Sequence, residues 1–186
     1  RYGVGLSKVN VQDNKLSGRL SVVYGGGAAQ TLLVVANGAL FQVAAADAKI
    51  TAYGMIDGGG AAEVFLENTP AKRIADHANL AQAMDAGTLA LCAEAIGAMD
   101  ASFAMLTDYL KTRKQFGQTI GSFQAIQHRV VDLMTEIEQA RSITILAASR
   151  FGRDGQSRAI SMAKSLVGRV AQQVSEELVQ LHGGIA

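Results

Sequence analysis

Two hydrophobic periods divide the chain, and the change falls near Pro70, its only proline. Before that point the apolar residues come in short β-type runs, at 4–11, 16–24, 31–36, 40–45, 49–53 and 62–66. Polar or glycine-rich breaks separate them: Asp13-Asn14, Gly25-Gly26-Gly27, Asn37-Gly38 and Asp57-Gly58-Gly59-Gly60. Asn-Gly between two apolar runs is a strong signal for a two-residue hairpin, because both central positions need a positive φ. From Ile74 the period becomes helical. Leu80, Met84, Leu91, Ala95, Met99, Phe103, Leu106 and Leu110 mark one face of a run that reaches Lys111. A second run extends from Phe123 to about Phe151, and a third from about Arg158 to Leu181 or His182. At 1.5 Å per residue each spans about 40 Å, and long helices joined by short turns pack antiparallel. The pattern predicts an α+β chain with two domains: a small antiparallel sheet or barrel over 1–72, then an antiparallel long-helix bundle of the four-helix type over 73–186. Three helices leave apolar faces uncovered, so a partner helix is expected from further chain or another subunit.

Composition narrows the classes. With 49% hydrophobic residues, 18% charged residues and a net charge of +1, the chain has neither a disordered composition nor a nucleic-acid footprint. Its one cysteine cannot form an internal disulfide, and Cys92 reads as a small core residue of the first helix. The long apolar runs read as broken by charges before membrane-spanning length, which predicts no membrane and a reducing, cytoplasmic setting. No leader is visible, and the first residue is Arg1 rather than methionine, so a piece of a longer protein is expected. Neither glycine triplet is followed by the lysine and hydroxyl of a phosphate loop, so both read as turns. The histidines lack metal-site spacing: His77 reads as exposed near a helix start and His128 as a satisfied interface residue. No metal is expected.

The chemistry concentrates between the first two helices, in residues 113–124. Arg113 offers five donors in a planar fork suited to phosphate or carboxylate, and Gln115 and Gln124 add amides. Gly117 and Gly121 allow a positive φ or a close backbone approach. A plainer reading makes Arg113 a partner of the helix dipole and Gly117 a helix stop. At the far end of the third helix His182-Gly183-Gly184 reads equally as a C-cap.

The run Arg113-Lys114-Gln115-Phe116-Gly117, followed by Ile120, Phe123-Gln124 and His128, resembles a helix-turn-helix signature of the acyl-CoA dehydrogenase flavoprotein family. Gln180-Leu181-His182-Gly183-Gly184 resembles that family's second C-terminal motif. The resemblance implies FAD as cofactor. Arg113 would contact the flavin pyrophosphate across a dimer interface with Gln115 and Phe116 beside it. Phe123 and Gln124 would lie near the adenine dinucleotide portion, and Gln180, Gly183 and Gly184 would complete that site. It further implies α,β-dehydrogenation of an acyl-CoA thioester in fatty acid metabolism, an electron-transfer flavoprotein or similar acceptor, and homo- or hetero-oligomers, dimeric or tetrameric. In the family a strand of the β-domain places an aromatic residue and a hydroxyl against the flavin; here those positions hold Val22 and Tyr24. The family's catalytic base is a glutamate beyond the His-Gly-Gly motif or, in a smaller branch, on the first helix, where this chain has Gly87. Asp85 is near but lies roughly 200° around that helix, and no catalytic base is assigned. The alternative reading is a catalytically silent partner subunit of a heteromeric acyl-CoA dehydrogenase.

Overall fold

The computed structural model describes residues 9–76 and 79–185, so His77 and the first residues of the 4–11 run lie outside the described residues. The chain separates into two compact units that part between Asn79 and Leu80.

The first unit contains two antiparallel sheets. Strands β1 (Asn10–Gln12), β2 (Lys15–Tyr24), β5 (Lys49–Gly54) and β6 (Gly60–Pro70) form one sheet in the order β1-β2-β6-β5. Strands β3 (Thr31–Ala36), β4 (Ala39–Ala44) and β7 (Lys72–Ala75) form the other in the order β3-β4-β7. Strand alternation builds the core: β3 buries Leu32, Val34 and Ala36 and exposes Thr31, Leu33 and Val35. These residues pack with Leu16, Phe41, Val43, Val64 and Leu66 from the other strands. The Asn37-Gly38 turn has φ of 50° and 77° and closes β3 on β4 with Ala36 opposite Ala39, as a two-residue hairpin requires. The two glycine clusters are turns, the second closed by the Met55 N–H to Gly59 O bond.

The sequence boundary at residue 72 falls short of the β unit. Lys72-Arg73-Ile74-Ala75 has no alternating apolar pattern, yet it pairs with β4, Arg73 opposite Phe41, through backbone hydrogen bonds that periodicity does not report.

The second unit consists of α1 (Leu80–Thr112), α2 (Gln124–Arg150) and α3 (Gln156–His182). Cys92, Ile96, Met99, Leu106 and Leu110 of α1 meet Leu133, Ile137 and Ala140 of α2 and Ile160, Ala163, Val167 and Val170 of α3 in one buried cluster. Intervals of three and four residues put each set on one stripe. α3 lies against both other helices, which touch each other less. α1 and α3 run the same way and α2 runs against them. Arg141 of α2 reaches Asp100 of α1 at 2.5 Å, and Arg129 of α2 donates two bonds of 2.9 Å to Glu177 of α3. At the start of α1, Asp85 accepts from Ser157 Oγ at 2.6 Å and Gln156 Nε2 at 2.8 Å, tying it to the start of α3.

One expectation is corrected here. α1 contains an 18-residue window of mean hydropathy 1.5 and is, by length and composition, apolar enough to cross a bilayer. Between Asp85 and Asp108 its only charges are Glu94 and Asp100, too few to break the run. In this fold 22% of that window is buried, and Cys92, Ile96 and Met99 of α1 are among the bundle's core residues.

Candidate functional site

The bundle brings three helix termini to one end: the last turn of α1, the first of α2 and the last of α3. Between α1 and α2 the chain makes a small hairpin rather than a simple helix stop. Strands β8 (Lys114–Gln115) and β9 (Gln118–Thr119) pair antiparallel, with Gln115 opposite Gln118. The turn is Phe116-Gly117, with φ of 54° and 82°. Two consecutive positive φ values make the tightest hairpin turn, so glycine here serves the hairpin and not the helix cap. Phe116 takes the first of those positions and is 90% exposed.

Arg113 links α1 to the hairpin. Its N–H donates to Tyr109 O at 2.8 Å, completing the last helical turn, and its carbonyl accepts the Ile120 N–H at 2.9 Å. The single 3-10 turn at Ile120–Ser122 then presses onto α1: a Cβ added at Gly121 would stand 2.8 Å from Leu110 O. Gly121 is thus a close-approach glycine. Gln127 Nε2 donates back to Gly121 O at 3.0 Å, and Phe123 packs edge-on against Phe116 with centroids 6.2 Å apart.

The side chains of Lys111, Arg113 and Lys114 are exposed and form no ion pair among the described residues. Gln115 Nε2 folds back onto Lys114 O at 2.8 Å. Gln124 begins α2 and Gln180 sits in the last turn of α3, both exposed. α3 ends at His182, and Gly183 caps it at φ 69°, ψ −145°, a conformation open to glycine alone, with its N–H on Val179 O. Among the described residues nothing lies within 4 Å of a Cβ placed on Gly183 or Gly184, so their backbone is bare there. All eight residues singled out in the sequence therefore sit on the three termini that meet at this end or on the connections beside them.

The structure adds Tyr109, whose ring stacks on His182 with centroids 4.6 Å apart and an interplanar angle of 23°. Its only sequence signal is its place one turn before Arg113. His128, expected at a satisfied interface, is exposed on α2.

The position for a base on α1 lies elsewhere. Gly87 precedes Arg113 by 26 residues, about 40 Å of helix. Asp85 beside it is occupied: hydrogen bonds from Ser157, then Gln156, hold its carboxyl below the ordinary value of 3.8, opposed by a smaller desolvation effect. A carboxylate tied up in this way is a poor proton acceptor. In the β unit Val22 has φ 56° at a register shift between Leu20 and Val23, a strained conformation for a β-branched residue. Beside it Glu63 accepts from Arg19 Nε at 2.6 Å and from Ser21 Oγ at 3.3 Å; the Arg19 bond foremost keeps its carboxyl below the usual range. Chemically, the bundle end offers a guanidinium, two ammonium groups, an exposed phenyl ring and bare glycine backbone. That set suits a phosphoanion attached to a flat ring system.

A profile of the acyl-CoA dehydrogenase C-terminal domain matches residues 78–186. The chain is 35% identical over 102 residues to the acyl-CoA dehydrogenase IpdE2 of Mycolicibacterium smegmatis, covering 55% of this chain and 32% of that protein. It is 32% identical over 107 residues to subunit CarC of the caffeyl-CoA reductase-Etf complex of Acetobacterium woodii, covering 57% of this chain and 28% of that one. Among solved structures, the ChsE4-ChsE5 complex from Mycobacterium tuberculosis superposes with a TM-score of 0.83 at 25% identity, over 100% of this chain and 54% of the matched one. The chain thus spans about half the length of that solved chain, and its match covers about a third of the curated relatives.

Proposed function

The chain belongs to the acyl-CoA dehydrogenase family, and from that membership we propose that it is part of an FAD-dependent enzyme that dehydrogenates an acyl-CoA thioester between its α and β carbons. The observation that carries this reading is the exposed guanidinium of Arg113, without an ion-pair partner among the described residues and held by the α1 terminus and the hairpin at the same bundle end as Gly183 and Gly184.

The residues present fit the cofactor. Lys111, Arg113 and Lys114 form a cationic set without a carboxylate partner among the described residues, which matches the charge of a pyrophosphate. Gly183 and Gly184 let a ligand reach the backbone, and Phe116 offers an apolar face beside it. In this reading Arg113 would hold the pyrophosphate with Gln115 and Phe116 beside it, Phe123 and Gln124 would lie near the adenine dinucleotide portion, and Gln180, Gly183 and Gly184 would complete the site. FAD, when bound, supplies the hydride acceptor for the reaction. These residues bind and orient; none of them moves a proton. The distance of about 40 Å along α1 between Gly87 and Arg113 supports assigning the clamp to a neighbouring subunit's active site in a dimer or tetramer. Met105, Ile145 and Val179, exposed on three different helices, supply apolar surface for such contacts.

A second reading is supported by specific positions. Val22, Tyr24 and Gly87 replace groups that the family uses at the flavin ring and as base. They favour a partner subunit that lends its Arg113 end to an active relative. The names of two similar proteins, a subunit of a reductase-Etf complex and the ChsE4-ChsE5 complex, are compatible with assembly into heteromers.

The test is visible absorption of the full-length protein, purified as its native oligomer, before and after anaerobic addition of a panel of acyl-CoA thioesters. Bleaching of bound flavin by one thioester supports the dehydrogenase and identifies its substrate; bound flavin that none bleaches supports the partner role. Arg113→Ala should weaken FAD binding about 10- to 100-fold, the loss of a charge-assisted contact. Full retention of flavin affinity refutes the clamp.

A further inference from the structure

Tyr109 belongs to neither motif, yet it touches both. Its carbonyl oxygen accepts the Arg113 N–H at 2.8 Å and the Thr112 Oγ1 at 3.1 Å. Its hydroxyl donates to His182 O at 3.2 Å, across 73 residues of sequence, while its ring stacks on the His182 imidazole. That imidazole is itself fixed, Nδ1 donating to Leu178 O at 2.8 Å. The accepting oxygen belongs to the peptide that leads into Gly183, whose φ of 69° and ψ of −145° begin the exposed glycine segment. One residue therefore anchors the start of the hairpin through its backbone and the start of the glycine segment through its side chain.

Apolar burial alone cannot do this. The Leu106, Leu110 and Leu181 side chains, all buried nearby, hold α1 and α3 together without directionality. A hydrogen bond and a ring stack fix distance and angle. We propose that Tyr109 is a positioning residue for the flavin pyrophosphate site, holding Gly183 and Gly184 at a set distance from Arg113. The inference rests on the reading of Arg113 as the pyrophosphate clamp.

The test compares Tyr109→Phe, His182→Leu and Arg113→Ala in the full-length oligomer, measuring the FAD dissociation constant, the visible circular dichroism of bound flavin and the melting temperature of the flavin-free protein. Tyr109→Phe keeps the ring and removes only the hydroxyl. It should weaken FAD binding about 5- to 10-fold and change the flavin dichroism, while the flavin-free protein still melts cooperatively and loses no more stability than one hydrogen bond supplies. His182→Leu, which removes the stack, should weaken binding at least as much. Wild-type affinity and dichroism in both variants overturn the proposal, as does a loss of affinity with the flavin dichroism unchanged. If Arg113→Ala alone loses flavin, positioning by Tyr109 fails and the clamp stands. If Arg113→Ala binds flavin normally, the clamp fails and the proposal with it.

Discussion

Replacing Gly121 with alanine tests how the hairpin is mounted on α1. The new Cβ would lie 2.8 Å from Leu110 O, 3.2 Å from Leu110 C and 3.4 Å from Leu110 Cβ. The first of these is closer than packed atoms tolerate, and the obstacle is helix backbone rather than the mobile tip of a side chain. Leu110 is 4% exposed and packed in the bundle core, so α1 cannot yield easily. The 3-10 turn must move outward instead, straining the Ile120 N–H to Arg113 O bond of 2.9 Å and the Gln127 Nε2 to Gly121 O bond of 3.0 Å. Overpacking of this kind costs about 1–3 kcal/mol, and a weakened hydrogen bond adds about 0.5–1 kcal/mol. Gly121 does not have a positive φ, so alanine fits the backbone, and the stiffer unfolded chain offsets about 0.5–1 kcal/mol. The net expectation is destabilisation by about 1–3 kcal/mol, read from urea unfolding followed by helical circular dichroism. Gly117→Ala is the matched control. Its Cβ meets nothing within 4 Å, but its φ of 82° imposes a backbone cost of about 1 kcal/mol. A Gly121→Ala protein as stable as the wild type would refute the close-approach argument.

Two further substitutions probe residues that are not part of the clamp. Asp85→Asn should cost about 0.5–1 kcal/mol at neutral pH by removing the charge that accepts from Ser157 and Gln156. Because the folded carboxyl is held below its ordinary 3.8, its contribution is complete above about pH 4 and fades as pH falls through the lower folded value. Wild-type and Asp85→Asn stabilities should therefore converge in acid; a gap that widens below pH 4 contradicts the assignment. Val22→Gly should relieve a left-handed β-branched residue worth about 1–2 kcal/mol, against the greater entropy of a glycine chain of about 0.5–1 kcal/mol. An unfolding free energy raised by up to about 1.5 kcal/mol, read as a higher urea midpoint, is expected, and a lowered midpoint would show that the bulge needs the valine side chain.

Much of the bundle was legible because helix packing is written at short range. Repeats of three and four residues locate α2 and α3 to within two residues of their observed ends and the end of α1 equally well, whereas Ile74, where the helical period is expected to begin, lies in β7; Asn37-Gly38 locates a hairpin, since only residues tolerant of positive φ fit it. What escaped has no local pattern. β7 is an edge strand fixed by backbone pairing to β4, and the bulge at Val22 places a β-branched residue where glycine would be the natural choice. The hairpin at 114–119 is too short for periodicity to register, and the glycine in it suggested a helix stop equally well. The apolar length of α1 is not broken by its few acidic residues, because Asp100 is accommodated by the Arg141 ion pair at the bundle surface.

The candidate site divides the same way. Arg113, Gln115, Phe116, Phe123, Gln124, Gln180, Gly183 and Gly184 could be picked out from residue chemistry and motif, because a guanidinium, amides and adjacent glycines have the same capabilities wherever they stand. Their convergence could not. It depends on α1 and α3 running parallel, so that the end of one meets the end of the other, and that arrangement follows from α3 burying its apolar stripe against both α1 and α2. Only this packing brings Tyr109 to His182 and leaves Asp85 beside Ser157, about 40 Å of helix away from Arg113. The chain's local chemistry determined which groups could bind; the burial of the helix faces decided which of them stand together.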